Sequence, residues 1–304
     1  VNHMDKKVNL GWLQVSNMTA NNNLSSLVNN AQGINVVSPT WFSVTSADGR
    51  ISSLASSNFV LYAHKKGIKV WALVDDFSKD VKLLDVMSKT KSRTNLINNL
   101  VSATRACGAD GINVDFEYIT QESSPHYIQF LRELSIKCRA NKLVLSVDSY
   151  VPLSYNEHYK IDEQGEFVDY VVIMAYDEYH ANSEESGSVA SLSYTQTAVD
   201  RAMAKVPKEK LIIGMPFYSR LWGEKSDGNG NSVLGVENAP VYYDLDTGTV
   251  VVTVLNEKIE KTGKYNLKLV KAEKDENGTV KEITDSKNKM TYVLLASTLD
   301  NGYL

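Results

Sequence analysis

The sequence predicts an α/β fold: a TIM-type (β/α)8 barrel whose last strand is not identifiable, with a small β-rich C-terminal or inserted region. Three observations carry that prediction. Short apolar, β-branched runs alternate with helix-periodic stretches through about residue 222, the pattern of repeated strand–helix units and a parallel sheet. No glycine-rich phosphate loop follows the first run, which disfavours a doubly wound sheet. After residue 223 the alternation stops and only strand-like runs return. Residues 8–222 are therefore expected to form the barrel with strands one to seven, and residues 223–304 the β-rich region.

Residues 8–15 (VNLGWLQV) read as the first strand, and 21–31 as a helix weakened by its asparagines. The β-branched run 33–38 is a second strand, stopped by Pro39. Phe59, Val60 and Ala63 fall at helical spacing in 56–66, and Gly67 ends that helix. Residues 68–74 (IKVWALV) make a third strand that closes in Asp75-Asp76. Leu96, Leu100, Ala103 and Cys107 mark a helix at 92–107 with Gly108 as its stop. The fourth strand, 110–117, is followed by a helix at 125–140 with Ile128, Leu131, Leu134 and Cys138 on one face. Strand five, 143–147, ends in Asp148-Ser149-Tyr150, and a long polar loop is expected from there to Phe167. Strand six spans 168–174, a helix 194–206, and strand seven 211–215. Beyond 223, residues 247–254, 265–272, 279–284 and 292–296 read as strands of a small antiparallel sheet, with Asn277-Gly278 as a hairpin turn.

Composition narrows the function. A formal net charge of -4 argues against a nucleic-acid partner, which needs a basic footprint. No apolar run approaches the roughly 20 residues of a membrane-spanning helix. The first residues carry no signal-peptide core. Cys107 and Cys138 lie on predicted helices without metal-ligand spacing and read as buried thiols. No cofactor and no metal is expected.

The fourth strand is where the chemistry concentrates. Ile112, Val114 and Phe116 alternate with Asn113, Asp115 and Glu117, so three polar groups share one face of the strand. Asp110 begins the strand with the other parity and reads as structural. In a barrel of this type, catalytic side chains gather at the C-terminal ends of the strands. That rule makes Asp75, Asp76, Asp115, Glu117, Asp148, Tyr150, Tyr176, Asp177, Tyr218 and Arg220 candidates. Glu117 is the last of its column and the most open to a ligand. Asp115 stands about 7 Å away, Cα to Cα, by strand rise. A neighbouring carboxylate raises the second pKa, which suits Glu117 to the part of a general acid. A retaining glycosidase with two opposed acids holds them about 5–5.5 Å apart across the scissile bond. Acids stacked on one strand do not flank a sugar in that way, so the substrate would have to supply the nucleophile. Asn113, Asp115, Glu117 and Asp177 could alternatively ligate magnesium or calcium, but no other feature supports a metal.

Asp110-x-x-Asn113-x-Asp115-x-Glu117 resembles the strand-four signature of family 18 glycoside hydrolases. Met174-Ala175-Tyr176-Asp177 is similar to the family's strand-six motif, and Gly214-Met215-Pro216-Phe217-Tyr218 to its strand-seven motif. The stretches VSPTWF (37–42), KVWALVDDF (69–77), SVDSYVP (146–152) and PFYSRLW (216–222) resemble the bacterial cell-wall and spore-cortex branch. The resemblance covers about residues 8–240. It implies substrate-assisted catalysis: Glu117 protonates the glycosidic oxygen, and the sugar's own N-acetyl carbonyl attacks its anomeric carbon. Asp115 would then hold the acetamide N–H, Tyr176 its oxygen, and Asp177 would support the sugar or Glu117. Met174, Tyr218, Arg220, Trp222 and Trp41 are candidates for substrate contacts.

Two departures qualify that expectation. Asn113 stands where the family commonly has an acid, so a narrower or shifted pH profile is expected. The family's strand eight carries a tryptophan that floors the sugar subsite. The tryptophans here are Trp12, Trp41, Trp71 and Trp222, none in a segment suited to strand eight. Residues 293–296 are left as a stand-in for that strand. The expected function is hydrolysis of β-1,4-linked N-acetylglucosamine polymers, of peptidoglycan or chitin type, with retention. A non-catalytic carbohydrate-binding barrel is the alternative. The partner expected is a glycan, and the resemblance implies an extracellular or cell-wall location in a bacterium.

Overall fold

The computed structural model describes residues 4–180, 182–183 and 187–226, and beyond them strands at 232–244, 249–254, 263–267, 272–274, 280–285 and 290–295. Side chains are described as far as Tyr218, apart from Asn30. The chain divides into two compact units, Val1–Met174 with Asp200–Ile213, and Ala175–Val199 with Gly214–Leu304.

The first unit is built on β1 (Leu10–Leu13), β2 (Val36–Val44), β3 (Ile51–Ser53), β4 (Lys69–Asp75), β5 (Gly111–Asp115), β6 (Val144–Tyr150), β7 (Tyr170–Met174) and β8 (Leu211–Gly214). The sheet runs β1-β2-β4-β5-β6-β7-β8, so the seven expected strands lie side by side in chain order. Every neighbouring pair from β1 to β7 on this path is parallel. Their near-continuous Val, Ile and Leu content is what strands buried on both faces require.

The sheet curls. Val36, Trp71, Val144 and Tyr170 form an interior cluster covered by Met4, Val8, Leu10 and Ile212, so strands from both ends of the order meet inside. Trp71 stacks on Tyr170 at 5.4 Å within that cluster. This is the interior of a TIM-type barrel, filled by side chains rather than open.

Between the strands run α1 (Leu24–Asn30), α2 (Ser57–Lys65), α3 (Leu83–Met87), α4 (Thr90–Cys107), α5 (Ser124–Ala140), α6 (Ile161–Phe167) and α7 (Leu192–Met203). The Ser56 side chain caps α2 at Phe59 N, and Gly108 ends α4 with φ 81°, a conformation glycine adopts without strain. The expected faces of α5 are buried at Ile128, Leu131, Leu134 and Cys138. Cys107 and Cys138 are free and buried, and burial pushes the Cys138 thiol up to about 12.

Three expectations need correction. Pro39 does not stop β2. Pairing resumes on either side of it, Val37 with Val70 and Thr40 with Leu73, and the strand continues through a register shift to Val44. Its far half pairs antiparallel with β3. The expected loop between strands five and six holds a 3-10 turn at Ser154–Tyr159 followed by α6. Residues 293–296 do not extend the barrel. The strand there is β15 (Met290–Leu295), antiparallel to its neighbours in a second sheet.

That sheet is entirely antiparallel and belongs to the second unit. It comprises β9 (Ser219–Ser226), β10 (Ser232–Asp244), β11 (Thr249–Val254), β12 (Gly263–Leu267), β13 (Ala272–Lys274), β14 (Val280–Asp285) and β15. Its order is β12-β11-β10-β9-β15-β14-β13. The Asn277-Gly278 turn lies outside the described residues.

Candidate active site

The register of three adjacent strands brings acids together. Asp75 of β4 pairs with Asp115 of β5, and Val114 pairs with Val147, so the next step along β6 sets Asp148 beside Asp115. One pleat deeper, Asn113 lies between Leu73 and Ser146. The opposite face of β5 is apolar: Ile112, Val114 and Phe116 are buried, and Phe116 stacks on Phe130 of α5 at 5.7 Å. Alternation along β5 thus sorts the polar groups inward and the apolar ones towards the helix. Asp110, of the other parity, anchors the strand's start by accepting from Val70 N and pairing with Lys69 at 2.9 Å and His64 at 2.7 Å.

Asn113 and Asp148, at 0 and 2 % exposure, share a closed network. Asn113 Nδ2 donates to Asp148 Oδ1 at 2.9 Å. Asn113 Oδ1 accepts from Ser38 Oγ at 2.9 Å and Trp12 Nε1 at 3.2 Å, and Trp12 Nε1 also reaches Asp148 Oδ2 at 3.2 Å. An indole N–H only donates, which fixes the orientation of the Asn113 amide.

Glu117 lies beyond the end of β5 and is half-buried. Its position is set by four groups. Asp76 accepts the backbone N–H groups of Glu117 and Tyr118, both at 2.9 Å. Tyr150 donates its hydroxyl to Glu117 Oε2, and Tyr159 donates to the Glu117 carbonyl. His158 Nε2 lies 2.8 Å from the Ile119 carbonyl, so the 3-10 turn holds the segment after β5 at two points. Burial, followed by its hydrogen bond to Glu117, raises the Tyr150 hydroxyl well above its ordinary value. Tyr150 therefore remains a donor to Glu117.

Burial raises three of these aspartates above the ordinary carboxylate range. Burial first, then the charges of Asp148, Glu117, Asp76 and Asp75, pushes Asp115 up to about 9. Burial likewise pushes Asp148 up to about 7, against the hydrogen bonds from Asn113 and Trp12. Asp76 rises to about 6, mainly through burial. Asp115 Oδ1 is buried with no hydrogen-bond partner among the described residues. A buried acceptor left open in this way is costly and is suited to a donor brought by a ligand.

The other expected site residues divide. Trp41 is a packing residue: it is 2 % exposed, meets Phe59 of α2 edge-on at 5.0 Å and donates to Asn21 at 2.7 Å. Its ring has no face left for a sugar. Met174 ends β7 and is buried. In the second unit, Tyr218 donates to Asp177 Oδ1 at 2.6 Å and meets Tyr176 edge-on at 6.3 Å. Asp177 has φ 57°, a left-handed conformation that non-glycine residues seldom adopt. Arg220 and Trp222 have their backbone in β9, and their side chains lie outside the described residues.

Sequence reading passed over Trp12, Tyr159, Phe77 and Tyr118. The first two sat in a strand read as purely apolar and in an expected loop. Phe77 and Tyr118 are 47 and 65 % exposed, meet edge-on at 5.9 Å and directly follow Asp76 and Glu117. Exposed aromatics beside polar strand ends were the available signal.

Comparisons with known proteins bear on family and fold. The family model described as Glycosyl hydrolases family 18 matches residues 13–301. The uncharacterized glycosylase YvbX of Bacillus subtilis is 28 % identical over 198 residues, 61 % of this chain and 57 % of YvbX. The cortical fragment-lytic enzyme of B. subtilis is 26 % identical over 185 residues, 55 % of this chain and 42 % of that protein. The chain thus spans about half the length of these curated relatives. Among solved structures, the spore cortex-lytic enzyme SleL of Bacillus megaterium QM B1551 has the same fold. Its TM-score is 0.67 at 15 % identity, covering 98 % of this chain and 67 % of that one.

Proposed function

The chain belongs to family 18 of the glycosyl hydrolases, and from that premise we propose that it cleaves β-1,4-linked N-acetylglucosamine polymers of peptidoglycan or chitin type, with retention, through substrate-assisted catalysis. The observation that carries this reading is the pairing of Glu117, held by Tyr150, with the buried, unpartnered Oδ1 of Asp115. Glu117 gives its proton to the glycosidic oxygen as the bond to the anomeric carbon breaks. The acetamide carbonyl oxygen bonds to that carbon, forming an oxazolinium ion. Asp115 offers its open oxygen to the acetamide N–H as the positive charge develops. Water then attacks the anomeric carbon as its bond to the acetamide oxygen breaks and the acetamide is restored, a proton of the water returns to Glu117, and the configuration is retained.

Tyr176, Asp177, Met174 and Tyr218 enter this reading through their motifs, Tyr176 for the acetamide oxygen and the others for the sugar. Asn113 contributes by fixing its neighbours. The exposed Phe77–Tyr118 pair offers ring faces to a sugar, the usual use of aromatics at carbohydrate sites. Residues 8–222 make up the catalytic part in this account. The names of the cortical fragment-lytic enzyme and of SleL support a cell-wall or spore-cortex glycan, and hence an extracellular or wall-associated location.

Glu117→Gln keeps the shape and removes the transferable proton. Reducing-sugar release from N-acetylglucosamine oligomers is expected to fall at least about 10²-fold, with the thermal midpoint unchanged. Undiminished hydrolysis in a folded Glu117→Gln variant would overturn the assignment.

A further inference from the structure

Position 113 contributes no charge to the row of acids, yet its amide is locked in one orientation and donates to a buried carboxylate on the next strand. We propose that Asp148 is a positioning residue for catalysis, a buried acid on β6 that keeps the proton of the Asp115–Glu117 pair in place while Asn113 and Trp12 hold it. The inference rests on the reading of Glu117 as proton donor, and it acts through Asp115 rather than through contact with substrate.

Geometry supports it in three ways. Asp148 follows Val147, the partner of Val114 on the neighbouring parallel strand, and so stands one step on, at the level of Asp115. It is 2 % exposed, so solvent does not screen its charge. Both hydrogen bonds recorded to it come from N–H donors, Asn113 Nδ2 and Trp12 Nε1, which favour the anion. Within the first unit, the groups acting on Asp115 are Asp75 and Asp76 at the end of β4, Glu117 beyond β5, and Asp148 on β6. Tyr150 of β6, Tyr159 of the 3-10 turn and Tyr127 of α5 feel the same acids. β1 and β2 contribute the neutral Trp12 and Ser38. After burial, the charge of Asp148 is the largest influence that raises the proton affinity of Asp115, ahead of Glu117.

The test is a carbon-13 NMR titration of the aspartate carboxyls in the full chain without substrate, beside the pH dependence of kcat/KM on an N-acetylglucosamine oligomer. In the wild type, Asp115 is expected to titrate far above the ordinary carboxylate range. In Asp148→Asn its midpoint is expected to fall by at least one pH unit, and the alkaline limb of kcat/KM to move down with it. Asp148→Glu restores both. A folded Asp148→Asn that loses rate equally at every pH, with Asp115 titrating as before, would reduce Asp148 to a structural part and overturn the proposal. Two measurements keep the test decisive if Asp148→Asn does not fold. Wild-type Asp115 titrating near 4 overturns the proposal, and Trp12→Phe, which deletes one N–H from Asp148, must raise the Asp148 midpoint. If the wild type hydrolyses no oligomer, the functional reading fails, and the titration alone still decides the role of Asp148.

Discussion

Asp115 carries an opposition between stability and function that can be measured. Its carboxyl is pushed up to about 9 by burial and by four neighbouring acids. A group raised in the folded state contributes stability that is complete below its unfolded value, about 4, and is lost as pH rises through the folded value. Asp148 and Asp76, raised to about 7 and about 6, act in the same sense. The protein should therefore lose stability between about pH 4 and pH 9. Asp115→Asn cannot ionise and should melt higher than the wild type, by at least about 2 °C at pH 9. The difference should shrink towards pH 5, as thermal melts at the two pH values will show. A variant that melts lower at pH 9 than the wild type would contradict the electrostatic account. The polar column of β5 was legible from alternation alone, because period two assigns faces without a structure. The Asn113–Trp12–Asp148 network was not, since it joins three strands and depends on how far the sheet curls.

At the scale of elements, the packing of β5 against its neighbours determines whether the acids align. Gly111 begins that strand where a Cβ would lie 2.7 Å from the Val144 carbonyl and 2.9 Å from Trp71 Cδ1. Backbone on one side and a fully buried ring on the other cannot give way cheaply. Gly111→Ala should cost about 1–3 kcal/mol in urea unfolding, and a neutral result would mean that β5 and β6 pack more loosely than described. The seven parallel strands were legible because buried strands are written as continuous β-branched runs. The short helices α3 and α6 were not, since five and seven residues complete too little of the helical period to show a face. Trp41 was misplaced for a related reason. Once β2 is taken to end at Pro39, the residues beyond it have no parity, and Trp41 reads as a loop aromatic. With the strand continuing, Trp41 packs on α2 instead.

For the whole molecule, the parallel sheet of the first unit supplies the acid pair and its supports, while the second unit carries the Tyr176–Asp177–Tyr218 cluster on its own residues. The antiparallel sheet was legible as strands, but its order was not, because β9 ends at Ser226 and pairs with β15, which begins at Met290, with residues 227–289 between them in sequence. The chain belongs to family 18 of the glycosyl hydrolases. The central proposal is narrower: the substrate's own acetamide is the nucleophile, with Glu117 as the acid that protonates the bond. The most direct test follows the anomeric protons by NMR during the first minutes of N-acetylglucosamine oligomer hydrolysis, before mutarotation mixes the anomers. The account predicts that the β anomer forms first. First appearance of the α anomer would contradict it, because inversion requires direct attack by water and leaves no part for the acetamide or for Asp115 beside it.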